Sequence, residues 1–586
     1  MDQIKDNLDA IKAAGFSAIQ TSPMQPQKDF WAGDSISGGW WKLYQPLGMS
    51  IATKNNALGT KQDLIELCDE AATKGMKIIV DVVTNHLAGG SGESFNSAVR
   101  EYEPGIYDAN LLHKGIGYVD DSNTRQLVRG HLGDYPDLMT EDDVVQQAIL
   151  DMLKEYLDCG VYGFRFDAAK HIETPSEREC ASDYWPTVIG GIKEYAEDKG
   201  KEEPFIYGEI LNTPGDGRNI NYYTPFMDVT DTNLSWSYLN AVTDENASLL
   251  TDEGYGLQPN QGVLWGESHD TYANDSHDTT YIDQGDIDKA YALGAMQTEY
   301  TSLYFCRPEN GAGLPSVGTS SYKGKAITSI NLFHDRYKGS ADNFGQEAGV
   351  AYSKKDGAVA LVGVSSNEVS IVVDAEDGTY LDEVSGNPFV VLDGTLKGTL
   401  GSSSIAVIYF KEPSKSPQIS IDCKENAEKG EVKVTISSIN ADSASYSING
   451  GSQTAFDGVA TFTLTGEPGD SFLIEAKASK GDEVATSTKT AIIPAKEGMV
   501  YVKGEIEGLD GCDLYAWVWG ASSGRWVEAR KEEGGYSFLI EDGDTGFLLA
   551  IFEEGISPNW DDCLGQTEDL SIGGSRIYQA SELSWK

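Results

Sequence analysis

Met76-Lys77-Ile78-Ile79-Val80-Asp81-Val82-Val83-Thr84-Asn85-His86 reads as a strand that is apolar on both faces and then turns abruptly polar. Such a strand belongs to a parallel sheet covered by helices, because crossover helices shield both faces. The flanking sequence agrees. Residues 61–74 form an amphipathic helix closed by Gly75, and upstream Ile4, Leu8 and Ile11 recur at helical spacing before Gly15. Further strands of this kind are expected at 18–22, 162–168, 205–210, 226–229, 263–265 and 302–305. With 76–83 they make seven, each leading into polar loop residues, where a (β/α)8 barrel of the TIM type has eight. The stretch from His86 to about Asp137 is too long and irregular for a βα loop and reads as an inserted subdomain.

A parallel barrel places its chemistry at the C-terminal ends of its strands. Four of these ends carry acidic residues: Asp81-Val82-Val83-Thr84-Asn85-His86, Gly163-Phe164-Arg165-Phe166-Asp167-Ala168-Ala169-Lys170-His171, Tyr207-Gly208-Glu209 and Glu267-Ser268-His269-Asp270. Singly, an acidic residue there is more often a helix cap or a loop anchor. Several converging on one rim are not explained that way. Arg165 and Asp167, two apart on one strand, point the same way. Arg165 is expected to lower the pKa of Asp167 and keep it ionised, as a nucleophile requires.

The 586 residues carry 92 acidic and 44 basic side chains, a formal charge of −48. That charge repels phosphates, so a nucleic acid or an anionic membrane surface is excluded as partner, while neutral ligands and cations stay open. No window approaches a membrane span, and no charged leader precedes an apolar core at Met1. Seven scattered cysteines without CxxC pairs exclude a disulfide scaffold or a thiolate zinc site as organiser. From about residue 345 the pattern changes to two-residue alternation with Gly, Asn and Asp turns, as in Ala358–Val364 and Ser404–Phe410. Residues 411–417 read as a linker, Ser447-Ile448-Asn449-Gly450-Gly451 as a hairpin, and a last β module opens near Gly498. The expected division is 1–344, a barrel with an insertion at about 87–140; 345–411, a β-sandwich; 417–494, an immunoglobulin-like β module; and 498–586, a third β-sandwich.

DVVTNH, GFRFDAAKH, YGEI and ESHD, in this order, resemble the four signature segments of the α-amylase family of retaining glycoside hydrolases. The likeness is closest to bacterial α-amylases of the Bacillus type. It extends through Trp40-Trp41-Lys42-Leu43-Tyr44-Gln45-Pro46 and across nearly the whole chain. The resemblance implies Asp167 as nucleophile, Glu209 as general acid/base and Asp270 as the third carboxylate, which orients the sugar and stabilises the transition state. Tyr44, Gln45, His86, Arg165 and His269 match residues around the sugar at the cleavage point, and Lys170 and His171 match residues on its reducing-end side. It further implies endo-acting hydrolysis of α-1,4 bonds in starch and maltooligosaccharides by a monomer, with no nucleic acid or membrane insertion. The alternatives are a non-catalytic starch-binding protein, or a relative with debranching or transglycosylase activity.

Calcium (Ca2+) is the implied metal, held by the Asn85 side chain, the His171 backbone carbonyl and Asp137, with Asp134 as competitor and a further ligand within 86–130. The last module resembles small starch-binding domains: Tyr515, Trp517 and Trp519 share a strand face, and Trp526 follows a short turn. Relatives of this type have a strand before the helix that starts here at Asp2. The chain is therefore expected to begin inside a longer, secreted protein whose first barrel strand and signal peptide are not visible here.

Overall fold

Seven parallel strands form the central sheet of the computed structural model: β1 (Ala18–Thr21), β2 (Lys77–Val83), β3 (Gly163–Asp167), β4 (Phe205–Gly208), β5 (Asp228–Thr230), β6 (Gly262–Trp265) and β7 (Thr301–Leu303). The residues described are 1–28, 40–54, 56–90, 93–211, 219–273, 278–309, 318–341, 343–411, 417–506, 508–509, 511–520, 524–532, 534–541, 543–573 and 575–586. The strands lie side by side in chain order, each hydrogen-bonded in parallel to the next. All seven fall where the apolar runs place them. The fifth begins two residues later than expected, because Tyr223 and Phe226 are still held in a turn by bonds back to Ile220 and Tyr223.

Local chemistry explains the frame. Ile78, Ile79, Val80, Val82 and Val83 are β-branched and buried, which suits a strand covered on both faces. The helix Lys61–Thr73 opens with a capping box between Thr60 and Asp63, and Gly75 follows it with φ of +65°. The first helix, Asp2–Ala13, buries Leu8 and is followed by Gly15 at φ +86°, where a Cβ would stand 2.8 Å from that of Asn331. Among the described residues β1 and β7 each have a single strand neighbour. A cavity of about 560 Å³ is lined by Ile19 and Thr21 of β1, Ser302 and Leu303 of β7 and Ile4 of the first helix, and it reaches Tyr44, Asp81 and His269.

Two compact units make up the chain. One comprises residues 1–375 and 394–409, the other 376–393 and 410–586. In the first unit the barrel is followed by an antiparallel sheet of Asn343–Glu347, Val350–Lys355, Ala358–Gly363 and Ile405–Tyr409. In the second, strands between Gln418 and Ile492 enclose a core of Val432, Val434, Ile436 and Ile474, and strands from Met499 onward enclose another, of Val500, Val502, Val518 and Phe538. A hairpin is present around 447–451: Tyr446 pairs with Thr454, and in the connection Asn449 and Gly450 are both left-handed, with the Gly451 N–H donating to the Ile448 carbonyl oxygen at 2.9 Å. Most of the expected 411–417 linker lies outside the described residues. No helix among the described residues is long and apolar enough to cross a membrane.

Candidate active site

Register brings the charged residues together. β2 and β3 pair with Asp81 opposite Arg165 and Val83 opposite Asp167, and β3 pairs with β4 so that Phe166 faces Gly208, one residue before Glu209. The Arg165 side chain is 4% exposed; its Nη1 donates to Asp81 Oδ2 at 2.6 Å and to Asp167 Oδ1 at 2.9 Å, and its Nη2 lies 2.7 Å from Glu209 Oε1. Ala168 is left-handed at φ 50°, a strained geometry for a residue with a Cβ. That turn aims its N–H at Glu209 Oε2, 3.1 Å away. Asp270 sits on the short helix His269–Ala273 after β6, close enough to Glu209 to raise its pKa.

One guanidinium thus faces three carboxylates, with a fourth behind Glu209. Burial pushes Asp167 up to about 7, against the pull of Arg165 and with Glu209 and Asp270 adding to the rise. Burial likewise raises Glu209; Arg165 opposes the rise and Asp270 adds to it. The net rise corrects the expectation that Asp167 is held low and ionised. The guanidinium acts in the expected direction, but desolvation of the carboxylates is the larger effect. The cluster holds a proton near neutrality and titrates as a unit.

The residues expected around a sugar flank this cluster. Tyr44 donates to Asp81 Oδ2 at 2.8 Å, its hydroxyl lies 3.0 Å from His269 Nε2, and the two rings are parallel to within 1° at 5.7 Å. His86 Nε2 lies 3.0 Å from the Tyr44 carbonyl oxygen, and its ring stacks on Tyr135 at 4.9 Å. Gln45 is buried beside Tyr135. Burial lowers both His86 and His269 to about 4, so both are neutral at neutral pH and can exchange hydrogen bonds with hydroxyls. Lys170 and His171 stand on the turn after β3, facing the insertion: Lys170 Nζ pairs with Asp121 at 3.2 Å, and His171 Nδ1 lies 2.9 Å from the Leu127 carbonyl oxygen. Asp121 and Tyr135 were not singled out by sequence. Gly133-Asp134-Tyr135-Pro136-Asp137 drew notice for its aspartates alone.

Oxygen atoms also converge beside the site. One arm of the Asn85 amide faces Asp137 Oδ1 at 3.3 Å and the His171 carbonyl oxygen at 3.0 Å, two acceptors and no donor. With its NH2 turned toward them, Asn85 satisfies both. With its oxygen turned toward them, the three oxygens form the cradle a hard cation requires, so these residues fit calcium. Asp137 is buried, whereas the competing Asp134 is exposed. Burial pushes Asp137 up to about 8, although His113 Nδ1 stands 2.7 Å from its Oδ2. A second convergence, of His113, Glu141 and Glu173, is already neutralised, because Arg129 pairs with Glu173 at 2.7 Å and with Glu141 at 3.1 Å.

In the terminal module Leu514, Ala516 and Val518 point into the core, leaving Tyr515, Trp517 and Trp519 on the outer face. Trp517 pairs across the sheet with Trp526, ring centroids 5.0 Å apart. Trp560 closes the group, 5.3 Å from Trp517 and 4.6 Å from Trp526, and is 47% exposed. Trp519 shares the face but packs over Gly546, outside this trio. Sequence reading missed Trp560, which carries no local signal.

Comparison with known proteins agrees with this geometry. The family described as "Alpha amylase, catalytic domain" matches residues 1–249. An alpha-amylase of Clostridium acetobutylicum is 32% identical over 447 residues, covering 74% of this chain and 56% of that protein. One from Butyrivibrio fibrisolvens is 28% identical, covering 70% of this chain and 46% of its own length. The chain therefore spans about half the length of these curated relatives. Among solved structures, a variant of alpha-amylase I from Eisenia fetida in complex with maltohexaose superposes with a TM-score of 0.56 at 18% identity, covering 70% of this chain and 95% of that one. An alpha-amylase from Malbranchea cinnamomea gives 0.52 at 18% identity, covering 69% of this chain and 88% of that one, and both likenesses show the fold. Residues 1–249, which carry Tyr44, Asp81, Arg165, Asp167 and Glu209, are similar to the alpha-amylase catalytic domain.

Proposed function

We propose that the protein is an endo-acting α-1,4-glucan hydrolase that retains anomeric configuration. The observation that carries this reading is the trio Asp167, Glu209 and Asp270 at the ends of β3, β4 and β6, the first two joined through Arg165 and the third close enough to Glu209 to raise its pKa. Retaining hydrolysis needs one ionised carboxylate to attack and one protonated carboxyl to release the leaving group. Asp167 attacks the anomeric carbon while Glu209 gives its proton to the departing glycosidic oxygen. Glu209 then takes a proton from water, which opens the glycosyl–Asp167 ester. Asp270 and the neutral His86 and His269 hold the hydroxyls of the distorted ring, and Tyr44 lies beneath it. The test is product analysis on soluble starch with polarimetry. Short linear α-configured oligosaccharides are expected; cyclic or rebranched products, or β-anomers, would overturn the reading.

Asn85, Asp137 and the His171 carbonyl are proposed to hold calcium. When bound, the ion supplies charge that ties the insertion to the barrel beside the site. A ligand at about 100-fold its Kd stabilises the native state by about 2.7 kcal/mol. Chelation is expected to lower Tm, and added Ca2+ to restore it. Asp137→Ala is expected to abolish that response; a chelator-insensitive Tm in the unsubstituted protein would rule the site out.

The outer tryptophans of the last module are proposed to bind starch. Attachment to an insoluble polymer would raise the effective substrate concentration at the barrel. Trp517→Ala with Trp526→Ala is expected to abolish granule binding and to spare hydrolysis of short maltooligosaccharides. Trp560→Ala, the change with least effect on packing, is expected to weaken granule binding alone. Equal loss of both activities would sink the idea.

A further inference from the structure

Glu267 and Arg307 form a buried pair that the mechanism above does not use. Glu267 lies two residues after the end of β6, two before His269 and three before Asp270, and its side chain is fully buried. Arg307 follows β7. Its Nε donates to Glu267 Oε2 at 2.7 Å and its Nη2 to Oε1 at 2.8 Å, a two-pronged contact that fixes the carboxylate in the guanidinium plane.

The other donors of Arg307 are aimed as specifically. Nη1 donates to the Ile282 carbonyl oxygen at 2.8 Å and Nη2 to that of Thr279 at 2.9 Å. The guanidinium carbon lies 5.2 Å from the centroid of the Tyr272 ring. Tyr272 belongs to the helix His269–Ala273, the element that carries His269 and Asp270. That helix is held at its start by Ser268 and Thr271, which bond each other's backbone N–H groups at 3.1 and 3.2 Å. From outside it is held by Thr279, whose N–H donates to the Thr271 carbonyl oxygen at 3.1 Å. One arginine thus touches the turn between β6 and the helix, the helix itself and the segment packed against it. A helix of five residues has too little backbone bonding to hold its own orientation.

We propose that Arg307, through Glu267 and Tyr272, is the positioning residue that sets Asp270 and His269 against Glu209. It contacts neither Asp167 nor Glu209 in any bond described above, so it acts on the reaction only through the helix. The inference rests on the reading of Asp270 as a catalytic carboxylate. Because Asp270 acts most strongly in the transition state, a shift of this helix reduces kcat more than it raises KM. A misplacement of about 1 Å is enough to cost about 10²-fold in rate.

The experiment uses the full chain and maltohexaose. Arg307→Lys keeps the charge but loses the fork. Glu267→Leu with Arg307→Leu replaces the whole pair by apolar side chains, a change that buried pairs often tolerate. Both proteins are first checked for cooperative thermal unfolding. Each is expected to lose about 10²-fold in kcat with KM changed less than about threefold. In an Asp270→Asn background, Arg307→Lys is expected to cost little further, because both changes remove the same contribution. If folded Arg307→Lys and the double-leucine protein keep full kcat, or if the losses from Arg307→Lys and Asp270→Asn multiply, the inference is wrong. If Asp270→Asn itself stays active, it is the reading of Asp270 that fails.

Discussion

Glu209→Gln in the full chain is expected to lower kcat on soluble starch by about 10³–10⁴-fold, at the upper end of what one general acid supplies, with Tm close to that of the unsubstituted protein. Glu209 Oε1 accepts from Arg165 and Oε2 from the Ala168 N–H. A glutamine amide can serve one of these donors but not both, which costs about 1 kcal/mol. Removing a carboxylate from a group in which one guanidinium faces three of them offsets much of that loss. What glutamine cannot do is deliver a proton. The decisive comparison is an aryl maltooside with a good leaving group, whose departure needs little protonation. On it Glu209→Gln is expected to form the glycosyl intermediate at near-normal rate, while Asp167→Asn stays inactive on both substrates. Equal deficits of Glu209→Gln on both substrates would remove Glu209 from the role of acid.

The difference between Asp167 and Glu209 shows what the chain reveals before folding. Their positions were legible, because a strand buried on both faces writes itself as a continuous apolar run and its end as the first polar residue. All seven strands were found for that reason. The shared face of Arg165 and Asp167 followed from a spacing of two. Their depth did not, since it depends on Tyr44 and His269, which arrive from elsewhere in the chain and exclude water. Hence the sign of the Asp167 shift was misjudged although its partner was known. Tyr135, Trp560 and Arg307 escaped for a related reason. Each sits outside the strands and longer helices, where no periodicity announces direction, and each matters only through a contact distant in sequence. The aspartate that faces Asn85 could be narrowed to two candidates, and it takes the fold, which buries Asp137 with its Oδ1 3.3 Å from the Asn85 amide and leaves Asp134 exposed, to separate them.

Arg165→Met is expected to have the largest effect on stability. It leaves Asp81, Asp167 and Glu209 buried without their cation, and breaking a buried pair in this way costs about 3–5 kcal/mol. The deficit should depend on pH in a defined direction. These carboxyls already have folded-state pKa values above the unfolded ones of about 4, Asp167 at about 7. A raised carboxyl binds its proton more tightly when folded, so its contribution favours folding below the unfolded pKa and is lost as pH rises toward the folded value. Removing the guanidinium removes the one influence that lowers all three, so their values climb and the window of loss extends upward. The Tm difference between the unsubstituted protein and Arg165→Met should therefore be smallest near pH 4–5 and widen through pH 7 and beyond. For the same reason Arg165→Lys, which keeps a charge but cannot span three carboxylates, should shift the acid limb of kcat/KM to higher pH while retaining a measurable rate. A Tm deficit that is constant from pH 5 to 8, or that grows as pH falls, would mean that Arg165 contributes packing and not charge. Burial and the neighbouring carboxylates would then set the raised pKa of Asp167 unopposed.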